Sequence, residues 1–376
     1  MEKIIFRKFL YDLMVFFLIV SLSLSLITWI IQSVNYLDFI SNDGHGFKVY
    51  FSYITLNFPK IFSKLVLFSY FVSLLYIIEK YQSNYEIYIY WTNGVSKLKF
   101  TNFILKTSIV LIIFQICLVY FLVPKTQNLS RDFLRNSNID LFTSLITEKK
   151  FIDTVKDLTI FVDEIDSDGN MKNIFLKDGI NKENTQIISA QKGKIIERGE
   201  NKFLKLDYGE ILDITNNKYA DSKVIKFNNT TLNLSNFKTK STLFPKIQEL
   251  DSSILISCIK NFLLGNKESY ALPYYMCTKE TSIKSAKEMF NRSFKQLYIL
   301  AIGIISAILF FLDGKSKNYS SYRLSIFFLG LLTIIISELN TEFLNLSSYR
   351  IFSILLPLIF FATIYIFILN LNKRVN

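Results

Sequence analysis

The chain has 376 residues, 51% of them hydrophobic and 16% aromatic, and only 20% charged. Several apolar runs reach the roughly 20 residues that a bilayer helix needs, which excludes a wholly water-soluble protein. The net charge of +12 is not a nucleic-acid footprint: Lys125–Glu288 holds 25 Lys+Arg against 22 Asp+Glu, and the remaining +9 sits mostly at the ends of apolar runs. The single histidine, His45, excludes a His-based metal or catalytic cluster.

Lys3, Arg7 and Lys8 precede the apolar stretch Leu13–Ile31. No small-x-small cleavage site follows, so the stretch reads as a first span with its N-terminus in the cytoplasm. Asp38, Asp43 and the Gly44-His45-Gly46 turn then fall outside. A second run extends from Phe51 to Ile78, with Pro59 as a kink or a membrane entry point and Lys60 and Lys64 near its outer end.

Glu79–Ser96 is too polar to span a bilayer. Its Tyr81, Tyr85, Tyr88, Trp91 and Val95 recur at three- and four-residue spacing, which predicts one face of a short amphipathic helix. Gly94 offers the helix stop. Two readings stand: an interfacial anchor with its aromatics at headgroup depth, or a docking helix for an aqueous partner with Glu86 as its charged contact. Lys80, Lys97 and Lys99 frame the stretch and put it in the cytoplasm. Ile104–Val123 returns outward, and Pro124 closes that span.

From Lys125 the composition changes to short β-rich pieces. Leu158–Ile165 is followed by the turn signal Asp168-Gly169-Asn170, then by Asn173–Lys177, Gln186–Ile196, Phe203–Leu212 and Val224–Leu234. Leu204, Leu206 and Tyr208 alternate with Lys205 and Asp207, the pattern of a strand with one wet face. No helix-length apolar pattern intervenes, so the module is a β-sandwich or jelly-roll. Its interior is expected from Ile160, Val162, Phe175, Ile187, Leu204 and Leu206.

Ser252–Leu264 and Thr281–Gln296 read as helices returning the chain to the membrane. Leu297–Leu312, Leu324–Ile336 and Ile351–Leu371 are the last three spans. Basic residues at Lys315, Lys317, Arg323, Lys373 and Arg374 mark their cytoplasmic ends, and Glu338 and Glu342 an outer end. The expected fold is therefore an α-helical membrane protein with six transmembrane helices, three plus three, and an inserted extracytoplasmic all-β domain. Residues 1–124 hold spans one to three, 125–250 the β module, 251–290 a helical return and 291–376 spans four to six.

Cys117, Cys258 and Cys277 are an odd, sparse set rather than a disulfide framework; a 258–277 bridge stays open. Gly314-Lys315-Ser316 resembles a phosphate-loop fragment, but position 309 is Leu where the motif needs Gly. Nothing recommends an enzyme active site or a cofactor. Lys64 and Glu338 are the ionisable residues of interest within spans. They read as interfacial snorkelling, as contacts to an anionic headgroup, or as a mutual pair between spans two and five.

Three stretches carry a resemblance. Arg7-Lys8-Phe9-Leu10 leads into a span ending Trp29-Ile30-Ile31-Gln32-Ser33 and then Tyr36-Leu37-Asp38. Asn84-Tyr85-Glu86 precedes Asn93-Gly94-Val95-Ser96. Leu158–Val162 is followed by Ile174–Asp178. In this order the chain resembles the LptF/LptG (YjgP/YjgQ) permeases of the lipopolysaccharide export transporter, with the first span closer to LptF.

The resemblance implies an inner-membrane ABC transporter permease with both termini cytoplasmic and a periplasmic β-jellyroll. It implies a heterodimer with an LptG-like permease and a cytoplasmic LptB-like ATPase pair docked on a coupling helix that carries Glu86, Trp91, Gly94 and Ser96. LptC/LptA-like periplasmic proteins would receive the lipid, and no nucleic acid is involved. Gln32, Asn35, Lys60, Lys64 and Glu338 become the expected lipid contacts. Tyr85 stands where the family often has serine, Thr92 and Asn93 where small apolar residues are common, and Gln32 and Asn35 where basic residues are often seen. The rival readings are a membrane-anchored sensor or scaffold whose β domain binds a ligand, and a permease running alone on an ion gradient, which would show broken helices with buried charges.

Overall fold

The computed structural model describes residues 2–37, 47–136, 146, 148–152, 158–166, 169–179, 184–198, 201–215, 222–234, 245–263, 277–312, 318–343 and 350–375. The turn at His45, Asp168 and the Gly314-Lys315-Ser316 fragment lie outside the described residues.

Six helices among the described residues are long and apolar enough to cross a membrane: Lys3–Asn35, Phe47–Ser83, Lys97–Phe133, Lys279–Phe311, Tyr319–Glu342 and Phe352–Lys373. Helix α1 is Glu2–Asn35, α2 is Phe47–Ser83 and α3 is the short Glu86–Thr92. Helix α4, Lys97–Cys117, runs through a π turn at Leu118–Leu122 into α5, Val123–Asn136. After the strands come α6, Ser252–Leu263, and α7, Lys279–Arg292. Helix α8, Tyr298–Ala307, sits between 3₁₀ turns at Phe294–Leu297 and Ile308–Phe311, and α9, Tyr319–Phe343, and α10, Arg350–Val375, follow.

Pro124 does not close the third span. It lies in the first turn of α5, where a missing N–H is tolerated, and the chain stays helical to Asn136. A regular helix would have paired residue 124 with the carbonyl of Tyr120. That carbonyl instead accepts from Ser252 Oγ at 2.8 Å.

The chain divides into two compact units. The first comprises Met1–Ile31, Leu56–Asn128 and Lys246–Asn376. Its centre is α8, whose Ile299, Ile302, Ile304 and Ile305 are wholly buried. Polar ties cross it: Tyr70 hydroxyl to Ser108 Oγ at 2.9 Å, and Asn340 Nδ2 donating to Ser353 O at 2.9 Å. Cys258 and Cys277 are joined by a disulfide with Cα atoms 5.7 Å apart, linking α6 to the residues just before α7. The bridge that the cysteine count left open is therefore made.

The second unit comprises Gln32–Thr55 and Leu129–Pro245. It holds a six-stranded antiparallel sheet in the order β1-β2-β3-β4-β5-β6. The strands are Phe151–Ile152, Leu158–Ile165, Asn170–Asp178, Asn184–Arg198, Asn201–Thr215 and Ser222–Asn233. This is an up-and-down meander. The Greek-key crossovers of a formal jelly-roll are not among the described strands.

The buried face of the sheet carries Ile160, Val162, Ile174, Leu176, Ile188, Leu204 and Leu206. Phe175 is not part of it. It pairs with Phe161 on the opposite face, where Phe151 joins them, with ring centroids 4.7 Å apart between Phe151 and Phe161. Ile187 shares the phase of Phe175 and also leaves the interior, which Ile188 and Ala190 fill instead.

A crease crosses the sheet. The ladders skip Asp163 opposite Asn173, Asn173 opposite Gln191, Gln191 opposite Tyr208, and Tyr208 opposite Asn228. Asn173 (φ 50°) and Tyr208 (φ 52°) are left-handed. On every strand that crosses this line the buried phase switches: Val162 to Ile165, Met171 to Ile174, Ala190 to Ile195, Leu206 to Ile211, and Phe227 to Leu232. Tyr208 therefore does not continue the Leu204-Leu206 alternation and is 60% exposed. Bulge-like breaks of this kind bend strands and re-aim side chains. Gly209 permits the close approach, since a Cβ there would lie 3.0 Å from Ala190 Cα and closer still to Ser189 O.

Candidate functional site

Two places in the first unit gather the residues that the sequence singled out. One is the corner formed by α2, α3 and α4. Helix α2 runs on to Ser83, so Tyr81 belongs to the long span and not to α3. Tyr85 turns the chain with a left-handed backbone (φ 60°), and Glu86 begins α3. Gly94, at φ 81°, ends the turn, and the Val95 amide donates to Tyr90 O. Ser96 caps α4, its Oγ accepting from the Lys99 amide at 3.2 Å. The single aromatic face expected over Tyr81–Val95 is thus broken in two. Ile87 and Tyr90 point inward, Trp91 is half-buried, and Tyr85 and Ile89 are exposed.

The inward side chains lock α3 to the bundle. Trp91 meets Phe100 and Phe310 edge-on, each at 6.1 Å, and Phe100 meets Phe310 at 4.8 Å. Tyr81 donates to Asp12 Oδ2 at 2.6 Å. Glu86 Oε2 pairs with Lys8 Nζ on α1 at 2.8 Å. Burial, followed by the nearby Glu86 charge, pushes the Tyr90 hydroxyl up to about 12. Tyr90 is therefore a neutral side chain of the packed face.

The second place is a cavity of about 540 Å³ walled by α2, α4, α5, α7 and α9. Its polar wall holds Lys60, Lys64, Lys287, Lys295, Glu288, Glu338 and Glu342, and its apolar wall Leu67, Phe68, Val119, Val123 and Ile334. Lys60 and Lys64 are one helical turn apart on α2 and share a face. Glu338 does not pair with Lys64. It takes Lys295 at 2.5 Å, and one turn on Glu342 takes Lys287 at 2.7 Å. Glu288 is held by Arg292 at 3.0 Å. Among the described residues no carboxylate is within bonding distance of Lys60 or Lys64. Gln115 donates to Ser63 O at 2.6 Å, and its own buried carbonyl oxygen has no partner among the described residues.

Such a wall has the chemistry to hold an anion. Two ammonium groups on one helical face offer charge, and the fixed Lys-Glu pairs frame them. The apolar wall beside them suits hydrocarbon. Of the expected lipid contacts, Lys60, Lys64 and Glu338 line this cavity. Gln32 and Asn35 belong to the second unit, half-buried and exposed respectively, and are not among its lining residues. Lys287 and Lys295 were missed. Their signal was legible, because Lys287, Asn291 and Lys295 recur at four-residue spacing.

Six apolar spans, four of them walling a charged cavity, with an inserted antiparallel sheet, define a multi-pass membrane permease carrying a β domain. The family model of the lipopolysaccharide export system permease LptF/LptG matches residues 7–371, and the chain belongs to that family. A relative named Uncharacterized protein RP871, from Rickettsia prowazekii (strain Madrid E), is 24% identical over 212 residues. The match covers 55% of this chain and 57% of the relative, so the chain spans little more than half of that protein's length.

Proposed function

We propose that the chain is the permease subunit of an ABC transporter that extracts lipopolysaccharide from the outer leaflet of the inner membrane and passes it to a periplasmic β-jellyroll bridge. The observation that carries this reading is the cavity, where Lys60 and Lys64 stand beside an apolar wall with no carboxylate partner among the described residues. A lipid with anionic phosphates and several acyl chains needs both surfaces at once. Burying phosphates among lysines costs desolvation, which charge-assisted hydrogen bonds offset.

The reading assigns α3 to a cytoplasmic ATPase of the LptB type, with Glu86, Trp91, Gly94 and Ser96 as its coupling residues. It assigns a homologous LptG-like permease to the apolar faces left open on α1 and α9, where Leu18, Leu22, Leu26, Leu329, Leu332 and Ile335 are exposed. LptC/LptA-like proteins take the lipid from the sheet, whose interior Ile160, Val162, Leu204 and Leu206 provide an apolar path. The disulfide between Cys258 and Cys277 supports a periplasmic location for that end of the bundle, since such bonds persist in oxidising compartments. Residues 1–124 and 291–376 then hold the transmembrane halves, the third and fourth long helices running past those bounds to Phe133 and from Lys279, with the rest of 125–250 and 251–290 outside and both termini inside.

Replacing Lys60 and Lys64 by Ala in the assembled transporter tests this. Lipopolysaccharide retention in detergent should fall by about tenfold or more, as loss of a charged contact costs on the order of 2–5 kcal/mol. Undiminished retention would remove the cavity from the lipid path.

A further inference from the structure

We propose that Gln82 is a positioning residue that joins α3 to the fourth and fifth spans, so that displacement of α3 shifts the α8–α9 end of the bundle. The proposal rests on the ATP-driven permease reading above. Gln82 is the last buried side chain of α2 before the Tyr85 turn, 9% exposed. Its Nε2 donates to Leu309 O at 2.8 Å, in the 3₁₀ turn that ends the fourth span. Its Oε1 accepts from the Tyr319 hydroxyl in the first turn of α9. The Leu309 acceptor fixes the amide orientation, because only the NH₂ end can donate there.

One turn before it on α2, Glu79 pairs with Arg323, one turn after Tyr319 on α9. Two residues of α2 thus grip two residues of α9, and Gln82 alone also holds the end of the fourth span. Trp91 presses Phe310 in that same 3₁₀ turn, and Lys97 Nζ lies 5.8 Å from the Phe311 ring. A cleft of about 300 Å³ is lined by Gln82, Ile87, Tyr88, Trp91 and Lys97 together with Phe310, Phe311 and Leu312. The turn is therefore packed by Trp91 and tethered by Gln82, and both side chains line the same open cleft. A push on α3 closes or opens the cleft, and the tether decides whether the fifth span follows. Polar contacts with two discrete arrangements are the physical means by which such coupling passes between sites.

The test uses the full chain assembled with its partner permease and ATPase in vesicles containing lipopolysaccharide. ATP hydrolysis and lipid released to a soluble acceptor are both measured, in Gln82→Met and Tyr319→Phe. Gln82→Met keeps the volume and removes both hydrogen bonds; Tyr319→Phe removes one. Expected is assembly and hydrolysis within about twofold of the unmodified chain, with lipid released per ATP lowered about tenfold in Gln82→Met and less in Tyr319→Phe, in the range of site-to-site coupling. Release per ATP that is unchanged, or that falls only in proportion to lost assembly and hydrolysis, would overturn the proposal.

A second arm needs no transport: amide hydrogen exchange on the full chain in detergent. Gln82→Met should speed exchange about tenfold at Leu309–Leu312 and at Tyr322–Arg323 together. A change confined to α2 would overturn the tether. If the unmodified complex moves no lipid with ATP, the permease reading fails, and the exchange arm decides the tether alone.

Discussion

Lys8 and Glu86 form an exposed pair at 2.8 Å, the Lys8 side chain being 56% exposed. Such pairs contribute about 0–1 kcal/mol, so the pair matters little for stability. On the proposed reading Glu86 matters more as a charge offered to the ATPase, and the two roles separate by charge exchange. Glu86→Lys should abolish coupled transport, and the double variant Lys8→Glu with Glu86→Lys should restore the internal pair without restoring transport. Recovery of transport in the double variant would make the internal pair the working contact. Tyr90, beneath the same corner, gives a pH signature. Its folded-state value is raised to about 12 by burial and by Glu86. The folded chain thus holds the phenolic proton more tightly than the unfolded one. Stability is fully present below the ordinary tyrosine value of about 10 and is lost as pH rises from there toward 12. Protection of the α3 amides should follow that course, and Tyr90→Phe should lessen that loss of protection.

At the scale of elements, the spans were legible because a long apolar run needs no context to declare itself. The five longer strands were legible from alternation and turn residues. The crease was not. Two non-glycine residues, Asn173 and Tyr208, hold left-handed backbones that only their neighbours across the sheet impose. Past them the phase reverses, which is why Phe175, Ile187 and Tyr208 were assigned to the wrong side of the sheet. The break within Glu79–Ser96 was hidden for a related reason: Tyr85, not a glycine, makes the turn. The Cys258–Cys277 pairing was undetermined because spacing alone does not select partners. The crease makes a prediction. Gly209→Ala would press a Cβ onto the Ser189 and Ala190 backbone. The sheet should lose about 1–3 kcal/mol, read as faster amide exchange in β4 and β5 with the spans unaffected. Unchanged exchange there would mean that the crease has slack.

At the scale of the molecule, the first unit holds the packed α3 corner and a charged cavity, and the second a sheet with one buried apolar face. For the chain to export lipid, its cargo must meet the cavity wall and then the buried face of the sheet. The opposite face, with Phe151, Phe161 and Phe175, supplies an internal control. The direct measurement places a photocrosslinking residue in turn at Lys64, Ile160, Leu206 and Phe175, in cells carrying lipopolysaccharide and the partner ATPase. Expected are lipid adducts at Lys64 with or without ATP turnover, ATP-dependent adducts at Ile160 and Leu206, and none at Phe175. Adducts to protein alone at Ile160 and Leu206, unchanged by ATP, would make the sheet a sealed core and contradict lipid passage through this chain.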